Sequence, residues 1–371
     1  MSKIKILHII KSLGRGGAEV LLPETLKLHN LSKFEFHYIY FLPWKDQMVQ
    51  PIKEAGGTVT CVQASNNLSL LGKSNEVIKY CKKNKIDLIH SHLPWSGFLG
   101  RIVYQRTKLP VIYTEHNIQE RYHLATKILN KLSFNFQDLA IGVSEDSSQS
   151  IYKNINPKVK VRTVLNGVNT EYFQKDIDKG NRIRKEFSIP DDACVIGNIA
   201  VFREQKAIPD WLRAFKIIHQ NHPEVYGLLV GAGPKEDEVK ALIKEYNLEK
   251  RVILPGLQTD TVAYFSAFDI FMMSSAFEGL PIALLEAMSM QCAVVSTKAG
   301  GVVEVVENNK SGILCDVGSY SCLANKASEL ILDLNKREKF QLAARERVID
   351  NFSLKRMVDE LENIYIDITR K

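Results

Sequence analysis

No stretch of this 371-residue chain approaches eighteen consecutive apolar residues, so no membrane-spanning helix is expected. The opening "MSKIKILHIIKSLG" has an apolar core of only about five residues, too short for a signal peptide. It reads as a first strand. The six cysteines, Cys61, Cys81, Cys194, Cys292, Cys315 and Cys322, show no CxxC spacing. They read as free thiols in a reducing cytoplasm, with no zinc site. There is no recognition-helix, zinc-finger or aromatic-platform signature, so no nucleic-acid partner is expected.

What is present is an ordinary globular composition, 45% hydrophobic and 25% charged, long enough for two domains. The net charge of +7 is uneven. Residues 1–180 hold 25 Lys+Arg against 15 Asp+Glu, and residues 181–371 hold 24 against 27. A basic first half suits an anionic surface or substrate.

Short β-rich runs alternate with helical patterns. Strands are expected at 3–10, 35–42, 58–62, 87–92, 110–116, 139–144 and 161–167, with helices at 17–31, 73–84, 95–107 and 122–135. The charged stretch 169–190 reads as a linker. The pattern then restarts with strands at 194–202, 226–233, 251–256, 269–275, 292–298 and 312–317, and a mostly helical tail. This predicts two doubly wound α/β domains, 1–175 and 185–350, with a last helix at 351–371. Ligands of such sheets sit at the carboxyl ends of the strands, and the expected site is the cleft between the domains.

Several constellations stand at those strand ends. "SLGRGGAEV" puts Gly14, Gly16 and Gly17 before a helix, where backbone can approach an anion. It fits a dinucleotide fingerprint poorly, because Glu19 stands at the third glycine position. "YTEHN" places His116 at a strand tip, and "HSH" puts His90 and His92 on one strand face. Two histidines can begin a metal site, but no third ligand is evident. "AVFREQKA" brings Arg203 and Lys206 to a strand end, where cations can neutralise a diphosphate leaving group. "GLLVGAGP" runs a strand into Gly231 and Gly233. "SSAFEGLPIALLEAMSM" holds Glu278 and Glu286 eight residues apart in an apolar segment. With Pro281 at the first helical position, Glu286 falls in the second turn between Ile282, Ala283, Ser289 and Met290. A carboxylate there pairs with a buried cation or accepts hydrogen bonds from a ligand diol.

Together, "AFDIFMMSSAFEGLPIALLEAMSM", "VVSTKAGGVVEVVENNKSGILCDVG", "GRGGAE", "DLIHSH", "TEHN", "LNGVN" and "GAGP" strongly resemble the family-four retaining glycosyltransferases of the GT-B fold. Their hallmark Glu, seven residues, Glu is matched by Glu278 and Glu286. The resemblance covers nearly the whole chain and implies no particular sugar. It implies that Glu286 accepts hydrogen bonds from the ribose of a nucleotide-sugar and that Glu278 contacts the donor sugar. Arg203 and Lys206 would hold the diphosphate with the backbone of Gly279, Leu280, Pro281 and Ile282. Gly231 and Gly233 would also line the donor side. Gly16 and Gly17 would line the acceptor and phosphate side, and His116 would face the donor sugar near the reacting carbon. The final helix would cross back to the first domain.

Two departures stand out. The family has Gly-Arg where this chain has Ala200 and Val201, with the lysine five residues after that arginine; here Arg203 lies three before Lys206. The turn Met290-Gln291-Cys292-Ala293 lacks the usual Gly and Pro.

The expected reaction is metal-independent transfer of a sugar to an acceptor hydroxyl with retention, a phosphate oxygen taking the proton. No cofactor is expected, and the donor is expected to be a UDP-sugar rather than a GDP-sugar. The acceptor would be a saccharide or lipid-linked saccharide of cell-surface polysaccharide or glycolipid assembly. A metal-dependent transferase would need an Asp-x-Asp at a strand end, and the one candidate, Asp176-Ile177-Asp178, falls in the linker. The alternatives are a nucleotide-sugar epimerase and a non-catalytic nucleotide-sugar-binding protein. The segment 119–136, "QERYHLATKILNKLSFNF", mixes Arg121, Lys127 and Lys131 with Leu124, Ile128, Leu129, Leu132, Phe134 and Phe136. It reads either as an amphipathic helix with its apolar side in the core or as a membrane-surface helix. The expected location is the cytoplasm, at the inner face of the cell membrane if the second reading holds.

Overall fold

The computed structural model describes residues 3–370. The chain forms two compact units, Met1–Asn166 with Leu354–Lys371, and Gly167–Ser353. The division thus falls before 175, and residues 167–175 join the second unit.

The first unit is built on seven strands: β1 (Ile4–Ile9), β2 (Phe34–Tyr40), β3 (Thr58–Cys61), β4 (Leu88–His92), β5 (Val111–Glu115), β6 (Leu139–Gly142) and β7 (Lys160–Thr163). They pair in parallel in the order β3-β2-β1-β4-β5-β6-β7. Alternation along the strands assigns each residue to one of two covered faces. Leu7, Ile9, Ile39, Phe41, Ile89 and Val111 form one core with Leu99 and Val103 of the helix Pro94–Thr107. His8 and His90, paired in register, point to the opposite face, with Tyr38 stacked on His8. There they meet Leu21, Leu22 and Thr25 of the helix Gly17–Leu28 and Met357, Leu361 and Tyr365 of the helix Leu354–Thr369. The final helix buries Leu354, Met357, Val358, Leu361, Ile364, Tyr365 and Ile368, a continuous stripe at helical spacing. Its Glu362 pairs with His29 Nδ1 at 3.0 Å and accepts from the Asn30 N–H at 2.7 Å.

The second unit has six strands: β8 (Val195–Ile199), β9 (Tyr226–Val230), β10 (Val252–Gly256), β11 (Ile270–Met273), β12 (Ala293–Thr297) and β13 (Ile313–Cys315). Their order is β10-β9-β8-β11-β12-β13, again parallel. The doubly wound α/β class expected from the alternation is therefore present in both units. Trp211 stacks on Phe215 in the core and donates its indole N–H to the Met272 carbonyl at 3.0 Å.

Two expectations are corrected. The segment taken as a linker contains a helix, Ile177–Glu186, packed into the second unit. Gly180 lies so close to the Ser266 carbonyl that an added Cβ would sit 2.6 Å from its oxygen. Arg184 binds the Asp269 carboxylate at 2.8 Å and the carbonyls of Ala193 and Ala267. High charge hid a helix whose inward residues are Gly180, Ile183 and Arg184. The six cysteines are also not all free. Cys315, at the end of β13, is bonded to Cys322 in the helix Tyr320–Leu332, their Cα atoms 5.9 Å apart. The strand-to-helix turn folds the chain back over seven residues, so the pair needs no CxxC spacing. Cys61, Cys81, Cys194 and Cys292 remain thiols.

Candidate functional site

In each sheet the strand order reverses once, between β1 and β4 in the first unit and between β8 and β11 in the second. Helices leave opposite faces at such a switch point, which opens a crevice beyond the carboxyl ends.

In the second unit the segments after β8 and β11 meet there. Lys206 Nζ lies 2.6 Å from Glu278 Oε1. Gln205 donates to the other carboxylate oxygen at 3.1 Å and to the Phe277 carbonyl at 3.0 Å, and its own carbonyl accepts from the Ala276 N–H at 2.8 Å. Ser274 Oγ donates to the Lys206 and Ala207 carbonyls, both at 3.0 Å. Glu278 is buried, 4% exposed, so its charge is compensated by a cation and an amide rather than by water. Gly279, Leu280 and Pro281 are also buried. Pro281 is the N-cap of the helix Ile282–Ser289, whose first-turn N–H groups face an anion-favouring end. Glu286 is half-buried in its second turn. Arg203 is exposed, at the start of the short 3-10 turn Glu204–Lys206, and makes no ion pair among the described residues. The structure therefore joins Lys206 to Glu278 and leaves Arg203 outside that cluster. Gln205 was missed in the sequence, although it stands beside Lys206 in the same motif.

Gly231 and Gly233 serve the backbone. Gly231 has φ +133°, and a Cβ there would meet the Ala200 oxygen at 1.9 Å; one on Gly233 would meet the Phe202 oxygen at 2.6 Å. The loop after β9 is thus held against the segment after β8 by Phe202 N–H to Ala232 carbonyl, 3.0 Å. Gly231→Ala is expected to destabilise the protein by at least ~2 kcal/mol, from positive φ and the clash together. Denaturant unfolding checks this, and an unchanged midpoint would refute it.

In the first unit, Gly16 caps the helix Gly17–Leu28 beyond β1, and Ser12 donates to Glu19 at 3.2 Å. His116 follows β5 directly. Its Nε2 lies 3.2 Å from His92 Nδ1, and His92 Nε2 lies 2.9 Å from His8 Nδ1. His90 is engaged separately, with Tyr365 OH at 2.9 Å and Thr114 Oγ1 at 2.6 Å. His8 is the third imidazole the "HSH" motif lacked. It comes from β1, far away in sequence, and no spacing signal announces it. One ring nitrogen from each of His8, His90 and His92 falls within 4.8 Å of the others. Hydrogen bonds already engage nitrogens of all three rings.

Beside His116, Glu115 is fully buried and accepts from Tyr113 OH at 2.7 Å, from Tyr122 OH and Gln119, and from the Asn117 N–H. Burial pushes its carboxyl up to about 7 against those hydrogen bonds. Burial pulls His116 down to about 4 and His90 to about 3, and holds His8 and His92 well below the usual imidazole value. The two effects oppose each other in acid. Between the ordinary carboxyl value and 7 the folded state holds the extra Glu115 proton, so that group's contribution to stability falls as pH rises. Below 6.5 the unfolded state takes up the histidine protons, so stability falls as pH falls. Four histidines outweigh one carboxyl. The melting temperature is expected to drop steadily from pH 6.5 to pH 5, and more steeply in Glu115→Gln. A scan by circular dichroism checks this, and a flat profile would contradict it.

The helix Leu124–Ser133 is inverted relative to a core helix. Its buried residues are Thr126 and Asn130, held by Asn130 to Gln119 at 3.0 Å and Arg101 to Asn130 at 2.8 Å. Leu124 is 70% exposed, Leu132 73% and Ile128 50%, with Leu129 and Phe136 exposed beside them. Arg121 and Lys131 are exposed near this apolar face and Lys127 is half-exposed. The reading that places this apolar side in the core is therefore wrong; only Phe134 of that set is buried, stacked under Arg101.

The family model described as "Glycosyl transferases group 1" matches residues 180–347, and the model described as "Glycosyltransferase Family 4" matches residues 30–172. The chain is 27% identical to the N-acetyl-alpha-D-glucosaminyl L-malate synthase of Bacillus anthracis, over 82% of this chain and 80% of that one. It is 26% identical to the UDP-Gal:alpha-D-GlcNAc-diphosphoundecaprenol alpha-1,3-galactosyltransferase of Escherichia coli, over 99% and 98%. Among solved structures, Anabaena Alr3699/HepE in complex with UDP and glucose superposes with a TM-score of 0.86 at 22% identity, covering 98% of this chain and 100% of that one. That likeness shows the GT-B fold.

Proposed function

The chain belongs to the family-four glycosyltransferases, and on that premise we propose that it moves a sugar from a uridine diphosphate donor to a hydroxyl of a saccharide or lipid-linked saccharide, with retention and without a metal. The observation that carries this is the ion pair of half-buried Lys206 with buried Glu278 at the β8/β11 switch point, with Glu286 on the helix that follows. Lys206, Arg203 and the N–H groups at the start of the helix Ile282–Ser289 supply positive charge where a diphosphate departs. Glu286 accepts from the ribose diol and Glu278 contacts the sugar. Of the first unit's groups, His116 is assigned to the sugar and Gly16 and Gly17 to the acceptor. The departing phosphate takes the acceptor proton. Two relatives support the donor and acceptor classes: the Escherichia coli enzyme is named for UDP-Gal and a diphosphoundecaprenol acceptor, and the Anabaena protein is held with UDP and glucose. The test is proton NMR of the product formed from UDP-hexoses with a panel of diphospholipid-linked saccharides. An α-linked product from an α-donor is expected; a β-linked product would overturn retention, and epimerised donor without transfer would favour an epimerase.

We also propose that the protein docks on anionic membrane through the helix Leu124–Ser133. No helix among the described residues is long and apolar enough to cross a membrane. Docking would instead rest on the exposed Leu124, Ile128 and Leu132 inserting between lipids while Arg121, Lys127 and Lys131 meet phosphate. Each basic residue near such a surface contributes about 1 kcal/mol. Leu124→Asp with Leu132→Asp is expected to weaken binding to phosphatidylglycerol vesicles at least ~10-fold, as is raising the salt. Failure of the wild type to float with those vesicles at low salt would refute the docking.

A further inference from the structure

Resting on the transferase reading, we propose that His92 and His8 are positioning residues that fix the tautomer of His116, making its Nδ1 a hydrogen-bond donor. His8, His92 and His116 lie on one sheet face, on β1, at the end of β4 and just past β5. The rings of His8 and His92 are stacked, 5.1 Å between centroids and 12° apart, and those of His92 and His116 are 5.4 Å apart. Both nitrogens of His92 are spent on other imidazoles, Nε2 on His8 Nδ1 and Nδ1 on His116 Nε2.

Burial keeps all three rings neutral near pH 7. A neutral imidazole has one donor and one acceptor nitrogen. With His92 bonded to an imidazole at each end, the donors must all point the same way along the array. Either His8 Nδ1–H donates to His92 and His92 Nδ1–H donates to His116, or every proton sits on the other nitrogen. The far end of the array decides between them. His8 Nε2 has no hydrogen-bond partner among the described residues, and His8 lines a small cavity whose walls are mostly apolar, with Leu21, Leu22, Val164, Met357 and Leu361 alongside Thr25, His90, His92, Thr114 and His116. An orphaned N–H in apolar surroundings is disfavoured more than an orphaned lone pair. His8 therefore carries its proton on Nδ1, His92 on Nδ1, and His116 accepts at Nε2. That leaves His116 with an Nδ1–H that donates to an oxygen of the sugar. Both positioning residues act without touching the substrate.

The test is long-range proton–nitrogen NMR of the ¹⁵N-histidine-labelled full chain, which reports each ring's tautomer without any turnover. The wild type is expected to show His116 as a single Nδ1–H tautomer. His92→Phe and His8→Phe are each expected to give a mixture of tautomers at His116, and His92→Asn, whose amide can replace the lost donor, to restore the single form. In transfer assays both Phe variants are expected to lose ~10-fold in kcat with donor KM within twofold. An Nε2–H tautomer at His116 in the wild type would overturn the proposal, as would an unchanged His116 signal in His8→Phe. So would displacement of these protons by one equivalent of added zinc with activity retained, which would make the array a metal site. Should His92→Phe fail to fold, the wild-type spectrum and His8→Phe decide alone. Absence of any stabilisation by UDP would instead defeat the transferase reading and leave the tautomer result standing.

Discussion

Lys206→Ala is expected to lower kcat for sugar transfer by ~10²- to 10³-fold, the cost typical of losing one preorganised charge at a developing anion. The geometry explains why the loss is so large. In the resting enzyme the ammonium is held 2.6 Å from the buried Glu278 and flanked by Gln205, so it is already placed and partly desolvated before a diphosphate arrives. Its removal also leaves the Glu278 carboxylate buried with only an amide partner, which repels an incoming diphosphate. Steady-state kinetics with a UDP-sugar checks this. Lys206→Arg is expected to recover only part of the rate, because the broader guanidinium does not fit a point contact beside Gln205. A Lys206→Ala enzyme within threefold of wild type would remove this cluster from the chemistry.

Glu286→Ala is expected to raise the dissociation constant for UDP and UDP-sugars ~10- to 100-fold, with a smaller effect on kcat. A carboxylate accepting from two ribose hydroxyls makes charge-assisted bonds, each contributing ~1.5–3 kcal/mol. The ribose is remote from the breaking bond, so the loss is of binding shared by ground and transition states. Calorimetric titration of UDP measures it directly. Glu286→Gln retains an acceptor and is expected to fall between the two. Equal affinity in wild type and Glu286→Ala would remove the ribose contact.

The parts of the fold that follow from local pattern were readable in the sequence. Each of the thirteen strands was anticipated, because each is a short β-rich run bounded by polar or glycine-containing turns. The helix after Pro281 was too, since a proline at a helix start is a local signal, although the proline proves to be the cap rather than the first helical residue. What escaped depends on distant partners. The helix Ile177–Glu186 looked like a linker because its burial rests on one glycine, one isoleucine and an arginine that satisfies carbonyls of the second unit. The Cys315–Cys322 bond follows from a turn, not from a spacing motif. The helix Leu124–Ser133 has a pronounced apolar face, and periodicity alone cannot say which face points inward; the Asn130–Arg101–Gln137 network decides it.

The candidate site divides the same way. Glu278, Lys206 and His116 were named from motifs at strand ends, and Lys206 and Glu278 do come together. Arg203 was named with them and is exposed at the start of the same turn, with no ion pair among the described residues. Gly231 and Gly233 were read as lining the donor side, and the structure shows why each must be glycine: the backbone after β8 fills the space a Cβ would take. The array His8–His92–His116 could not be read from sequence, because parallel pairing of β1 with β4 and of β4 with β5 is what aligns the three rings.

The most direct measurement is a thermal-shift panel of uridine, guanosine and adenosine diphosphate sugars on the wild type and Glu286→Ala. The expected result is a rise in melting temperature with the uridine series that is lost in the variant. No shift with any nucleotide, or an equal shift in both proteins, would contradict a donor site built around Glu278, Lys206 and Glu286.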